Sequence, residues 1–137
     1  MFDQAYFVNG AINFLIAFGL ACLFLVAFKY IYQAVTPYDE RTLIRDGNVA
    51  AAVTLGGAII GFALPVASAL SQTDGMVEFA AWALLAGVIQ VVAFVVISKI
   101  VVKDLHDRIG RGEVSTAIYL AATSIAIGLI NAASMTY

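Results

Sequence analysis

Four long apolar stretches alternate with short polar ones along the chain: Gly10–Val35, Asn48–Leu70, Val77–Val102 and Val114–Thr136. A helix needs roughly 20 mostly apolar residues to cross a hydrocarbon core about 30 Å thick. Each stretch meets that length, and none carries an Asp, Glu or His in its central part. Because the connections are short, neighbouring helices run antiparallel. The pattern predicts an all-α fold, a four-helix transmembrane bundle in a single membrane domain over residues 1–137.

The polar segments carry helix signals of their own. Thr36-Pro37-Tyr38-Asp39 offers a capping hydroxyl, a proline at the first helical position and a carboxylate three residues after the cap. A short helix is predicted from there to Asp46, stopped by Gly47, with Asn48 capping the second span. In Lys103–Gly112, Leu105 and Ile109 stand one turn apart among mixed charges. Both segments read as amphipathic helices resting at the lipid headgroups. Glu40, Glu113 and the aspartates there are expected to be solvated or paired with neighbouring Arg.

The apolar pattern also repeats. Val26-Ala27-Phe28 recurs 66 positions on as Val92-Ala93-Phe94. A shift of 65 pairs Gly47 with Gly112, Val49 with Val114, Leu55 with Leu120, Leu64 with Leu129 and Ala67 with Ala132. The prediction is two duplicated helical hairpins in parallel orientation, about 10–70 and 77–136, related by an axis along the membrane normal. The first and third spans are rich in large residues. The second and fourth carry small faces, Gly57 and Gly61 on one and Ser124, Gly128 and Ala132 on the other. Small faces let backbones approach closely where lipid gives helices no hydrophobic drive to associate, so these two are expected to form the packed centre.

Composition agrees with a lipid environment. The chain is 63% hydrophobic and 12% charged, against about 45–50% and 25% in soluble domains. All seven basic residues, Lys29, Arg41, Arg45, Lys99, Lys103, Arg108 and Arg111, lie at or within the first and third connections. The positive-inside rule therefore predicts a multi-pass protein of the cell inner membrane, with both termini on the periplasmic side. The N-terminal apolar run, too long for a signal peptide and without a basic n-region, is expected to stay as the first helix. A net charge of −2 without a basic run argues against nucleic acid. Cys22 is the single cysteine and His106 the single histidine, so neither a cofactor nor a metal is expected.

The polar residues inside the spans are few. Asn13, Pro65, Ser68, Asn131 and Ser134 lie at similar depth and could line an outer polar pocket, or simply bond helix to helix. Pro65 removes the hydrogen bond to the Gly61 carbonyl and predicts a kink. Gln90 is at the midpoint of the third span, where an unsatisfied amide is costly; it predicts a contact to Thr54 or Ser124 if the third helix turns that side inward, and otherwise an intersubunit contact and hence a homo-oligomer or a membrane protein partner. Lys29 and Lys99 can snorkel to headgroups, making membrane lipids a partner. Tyr6, Phe7, Tyr30, Tyr32, Trp82 and Tyr137 suit an interfacial belt.

Thr36-Pro37-Tyr38-Asp39-Glu40, then Gly56-Gly57 and Ile60-Gly61-Phe62-Ala63-Leu64-Pro65, then the tail from Asn131 to Tyr137, carry a resemblance. In these motifs the chain resembles the YjfL-like family, domain of unknown function 350, over essentially its whole length. The resemblance implies a bacterial inner-membrane protein with two copies of the domain, and no established activity. A proton-coupled carrier needs an intramembrane acid or histidine, and a hydrolase needs a nucleophile with its base; neither is seen mid-membrane, so an enzyme is not expected. The function expected is a structural or accessory membrane subunit acting through helix packing. The alternative is an oligomeric pore or carrier for a small uncharged or lipid-like solute, with Gln90 or Thr123 lining its axis.

Overall fold

A computed structural model describes residues 2–135. Its elements are α1 (Gln4–Val35), α2 (Glu40–Arg45), α3 (Val49–Gln72), α4 (Met76–Val96, continued by a π-helical turn at Ile97–Val101), α5 (Leu105–Gly110) and α6 (Val114–Ala133). Among the described residues, α1, α3, α4 with its π turn, and α6 are long and apolar enough to cross a membrane. The spans predicted from hydropathy thus recur with ends moved by a few residues. The last predicted boundary, Thr136, lies outside the described residues.

The most extensive helix pair is α3 with α6, and glycine makes it possible. A Cβ added to Gly57 would overlap the Ala121 backbone. One on Gly61 would come within 2.8 Å of the Ser124 carbonyl carbon and 2.7 Å of Gln90 Nε2. One on Gly128 would come within 2.7 Å of the Gly61 carbonyl carbon. Ser68 Oγ donates to the Ala132 carbonyl at 3.2 Å and ties the same pair near its far end. Around this seam α1 packs on α3 and α4, and α4 packs on α3 and α6. Aromatic rings fill the joints: Phe28 stacks on Phe62 at 4.4 Å, and Phe24 meets Phe79 edge-on at 5.7 Å. Pro65 is fully buried within α3, which runs on as one helix to Gln72.

The two polar connections sit together at one end of the bundle, where Asn48 Nδ2 donates to the Ile109 carbonyl at 2.8 Å. Both end alike. After α2, Gly47 N–H donates to Ile44 and Asn48 N–H to Leu43; after α5, Gly112 donates to Ile109 and Glu113 to Arg108. This pair of bonds closes a helix through a left-handed residue, and Gly47 and Gly112 have φ of 87° and 77°. Asn48 then caps α3 by accepting from Ala51 N–H at 2.9 Å.

The first connection departs from expectation. Thr36 is not the cap of α2. It ends α1, its N–H donating to Tyr32 and its hydroxyl to Gln33. Pro37 disfavours the helical conformation for the residue before it, and Thr36 is extended at ψ 144°. Asp39 is the cap instead, accepting from Thr42 N–H and Oγ1. The connections are also less exposed than surface helices. Leu105 and Ile109 are buried in the core, and Leu43 and Ile44 pack against it.

The glycine seam generates a contrast between a glycine on α6 that lies in the seam and one on α3 that does not. Gly128→Val should destabilise the protein in mild detergent by about 1–3 kcal/mol, as overpacking does. Gly56→Ala, with nothing within 4 Å of the new carbon, should be neutral or raise stability by up to about 1 kcal/mol. Thermal melting of both variants measures this. Equal melting points would remove the seam as the centre of packing.

Candidate functional site

The mid-membrane polar residues are satisfied within the chain. Gln90 is only 4% exposed; its Nε2 donates to the Ser124 carbonyl at 2.8 Å and its Oε1 accepts from Asn131 Nδ2 at 3.5 Å. Asn131 Nδ2 also reaches the Ala86 carbonyl at 3.1 Å. Of the two expectations for Gln90, the contact to Ser124 within the bundle is the one the structure has, and the intersubunit contact is corrected: the seam turns α4 so that the amide finds its partners at home. Thr123 bonds to Tyr119 in its own helix.

The outer polar residues are not gathered into one pocket. Ser68 and Asn131 bridge helices, whereas Ser134 bonds back to Ile130 within α6. Asn13 stays exposed on α1 and makes no side-chain hydrogen bond among the described residues. Lys29 holds its ammonium 5.3 Å from the centre of the Tyr30 ring, and Lys99 is exposed in the π turn. Tyr32 does not belong to the interfacial belt: it is fully buried, its ring 4.7 Å from Phe94. Tyr137 lies outside the described residues.

The feature that sequence reasoning missed is at the connection end. Glu40, expected to be solvated or paired with Arg, is 1% exposed. Its two carboxyl oxygens and the hydroxyls of Tyr32 and Tyr38 are buried without a hydrogen-bond partner. The cause is local. Because Asp39 rather than Thr36 caps α2, Glu40 falls in the first turn of α2, which packs on α3. Pro37 ends α1 just above Tyr32 and folds Tyr38 back onto it. The Thr36 and Thr54 hydroxyls flank the cluster, but donate to the carbonyls of Gln33 at 3.0 Å and Ala50 at 2.9 Å.

Burial dominates the electrostatics. It pushes the Glu40 carboxyl from 4.5 up to about 7, against the Thr36 hydroxyl, with Asp39 adding to the rise and Lys29 opposing it. Burial likewise pushes the Tyr38 hydroxyl up to about 12. The exposed acids behave oppositely. Asp39 is held below its ordinary value by the Thr42 hydroxyl, and Glu113 by Thr116. Glu113 also pairs with Arg111 at 3.5 Å and Arg108 at 4.0 Å, as its charged surroundings led one to expect. Among the described residues no group of three or more His, Cys, Asp or Glu is placed to hold a metal.

A second recess is wholly apolar. A groove of about 270 Å³ opens between α1 and α4, floored by Phe28 and Phe62 and walled by Phe24, Leu84 and Val88.

The family described as Domain of Unknown Function (DUF350) matches residues 6–135, which takes in all four spans. The UPF0719 inner membrane protein YjfL of Escherichia coli strain K12 is 26% identical over 132 residues, 96% of this chain and 99% of that protein. The UPF0719 transmembrane protein YshE of Bacillus subtilis strain 168 is 29% identical over 77 residues, 56% of this chain and 58% of that protein. No solved structure matches.

The buried carboxyl sets a pH dependence with a definite sign. Its folded value, about 7, lies above the ordinary 4.5. The stability it contributes is therefore fully present below pH 4.5 and is lost as pH rises through 7. In detergent at low ionic strength, the melting point should fall across that window, the stability lost being at most about 3–4 kcal/mol. Glu40→Gln should flatten the profile. A melting point that rises with pH over the same range would mean the carboxyl is ionised in the fold.

Proposed function

The chain belongs to the DUF350 family of membrane proteins, and from that premise we propose that it is a structural or accessory subunit. It docks onto a second copy or a larger membrane complex through α1. What carries this reading is the overhang of that helix. On α1, Ala17, Leu20, Ala21, Phe24 and Phe28 form one stripe at helical spacing, and its last members pack on the bundle. The same stripe continues outward to Asn13, which is exposed among the described residues. Beyond the Phe24–Phe79 contact α1 runs on for about 20 residues, or about 30 Å, whereas α4 begins one turn before Phe79.

That overhang is apolar but not uniformly so. Phe14 and Phe18 are exposed and stacked at 6.1 Å. Asn9 and Asn13, one turn apart, are exposed with no side-chain hydrogen bond among the described residues. Amides in lipid are costly when unpaired, and a helix brought alongside would supply their partners. Gln90, satisfied internally, contributes nothing to this reading.

Two further features belong to the same proposal. The gathering of all seven basic residues at the connection end supports a cytoplasmic position for that end, with both termini periplasmic. The closing bonds of α2 and α5, repeated at a shift of 65 residues, support descent from a duplicated hairpin in parallel orientation. The alternative, a carrier for a lipid-like solute, draws its support from the apolar groove between α1 and α4.

Photocrosslinking from position 13 in native membranes tests the docking face. A crosslink to protein, either a second copy or a stable partner, is expected. Asn9→Leu with Asn13→Leu should weaken the association roughly eightfold, since interhelical hydrogen bonds average about 0.6 kcal/mol each. Crosslinks to lipid alone would overturn the reading. Orientation is tested by reporter fusions at the C-terminus: alkaline phosphatase should be active there and green fluorescent protein dark, and the reverse would invert the topology.

A further inference from the structure

We propose that Glu40, Tyr32 and Tyr38 form a binding site for one small alkali-metal cation at the connection end of the bundle. Four oxygens from these three side chains are buried without a well-formed hydrogen bond; the Tyr32 and Tyr38 hydroxyls bear on each other, and the Thr36 and Thr54 hydroxyls on the cluster's edge, but no counter-charge among the described residues enters it. Native interiors rarely leave polar atoms so, and an unmatched group calls for a ligand or a catalytic role. A buried carboxyl in particular needs a counter-charge or a proton.

The donor set selects the ligand class. Every available atom is a hard oxygen, which suits an alkali-metal or alkaline-earth ion rather than a transition metal. One carboxylate supplies a single negative charge, which balances a monovalent ion. The Thr36 and Thr54 hydroxyls give their protons to backbone carbonyls, so their lone pairs remain free to face a cation. The site also lies at the C-terminus of the 32-residue α1, where the helix dipole is negative.

No side chain already fills this role. Lys29, the basic group bearing on Glu40, lies over the Tyr30 ring, and no ion pair among the described residues includes Glu40. The remaining titratable neighbours are Asp39 on the same connection and His106 on α5. From α3 come only uncharged residues, and from α4 the Phe94 ring. A way in exists: a hollow of about 220 Å³ beside Tyr38, lined also by Asp39, Thr42 and His106. The raised proton affinity of Glu40 means that protons and the cation compete for one carboxyl.

The test uses the whole chain in detergent, melted in sodium, potassium or choline chloride at equal ionic strength, at pH 8 and pH 5. At pH 8 sodium or potassium should raise the melting point over choline, saturably. At pH 5 the difference should shrink at least several-fold. Glu40→Gln should abolish it, and Tyr38→Phe, which keeps the ring packing, should need several-fold more salt for the same shift. Should Glu40→Gln fail to fold, equilibrium binding of radioactive sodium or potassium to the wild type decides, with one ion per chain expected. Equal melting in the three salts at pH 8 would overturn the proposal, leaving Glu40 to a proton or to Lys29. A salt effect that survives in Glu40→Gln, or no bound ion, would overturn it as well.

Discussion

The close approach of α3 to α6 governs the rest of the molecule. In lipid, apolar side chains gain nothing by leaving one bilayer-like environment for another, so helices associate through packing and hydrogen bonds. Gly57, Gly61 and Gly128 remove the side chains that would hold the two backbones apart. Once the backbones meet, the Ser124 carbonyl is within reach of Gln90, and α4 must turn that face inward. The orientation of α4 in turn fixes the groove that receives Phe24 and Phe28 of α1. One small-residue seam therefore decides which faces of the other two helices are used.

That hierarchy divides the chain into a packed centre and a projecting limb. The outer half of α1 is largely exposed among the described residues, yet continues the stripe by which the inner half is bound. At the opposite end the connections are drawn into the bundle: α5 buries Leu105 and Ile109, and α2 buries Glu40. An acidic group thus stands at the polar end of the spans, not at their midplane. Its neighbours are two tyrosines and two threonines.

Much of the fold was legible from hydropathy, because four apolar runs of sufficient length leave few other arrangements. The seam was legible too, since glycine and serine at four-residue spacing report close backbone approach directly. Two things were not. Whether Gln90 faces its own bundle or a neighbour depends on rotation of α4 about its axis, which side-chain packing decides and composition does not record. The burial of Glu40 turned on which of Thr36 and Asp39 caps α2. Both are good capping residues, and the restriction that Pro37 places on Thr36 settled the matter. The run from Thr36 to Glu40 had already carried the family resemblance, so the signal was present without its physical meaning.

Glu40 is a buried carboxyl at the connection end of a bundle whose mid-span amides, Gln90 and Asn131, are bonded within the chain. Infrared difference spectroscopy with labelled glutamate, read against Glu40→Gln, measures that carboxyl directly. The account predicts a protonated carboxylic acid band, absent from the variant, that titrates near pH 7 in a buffer without alkali-metal salts. A group already ionised at pH 5, with the ordinary behaviour of an exposed glutamate, would contradict it.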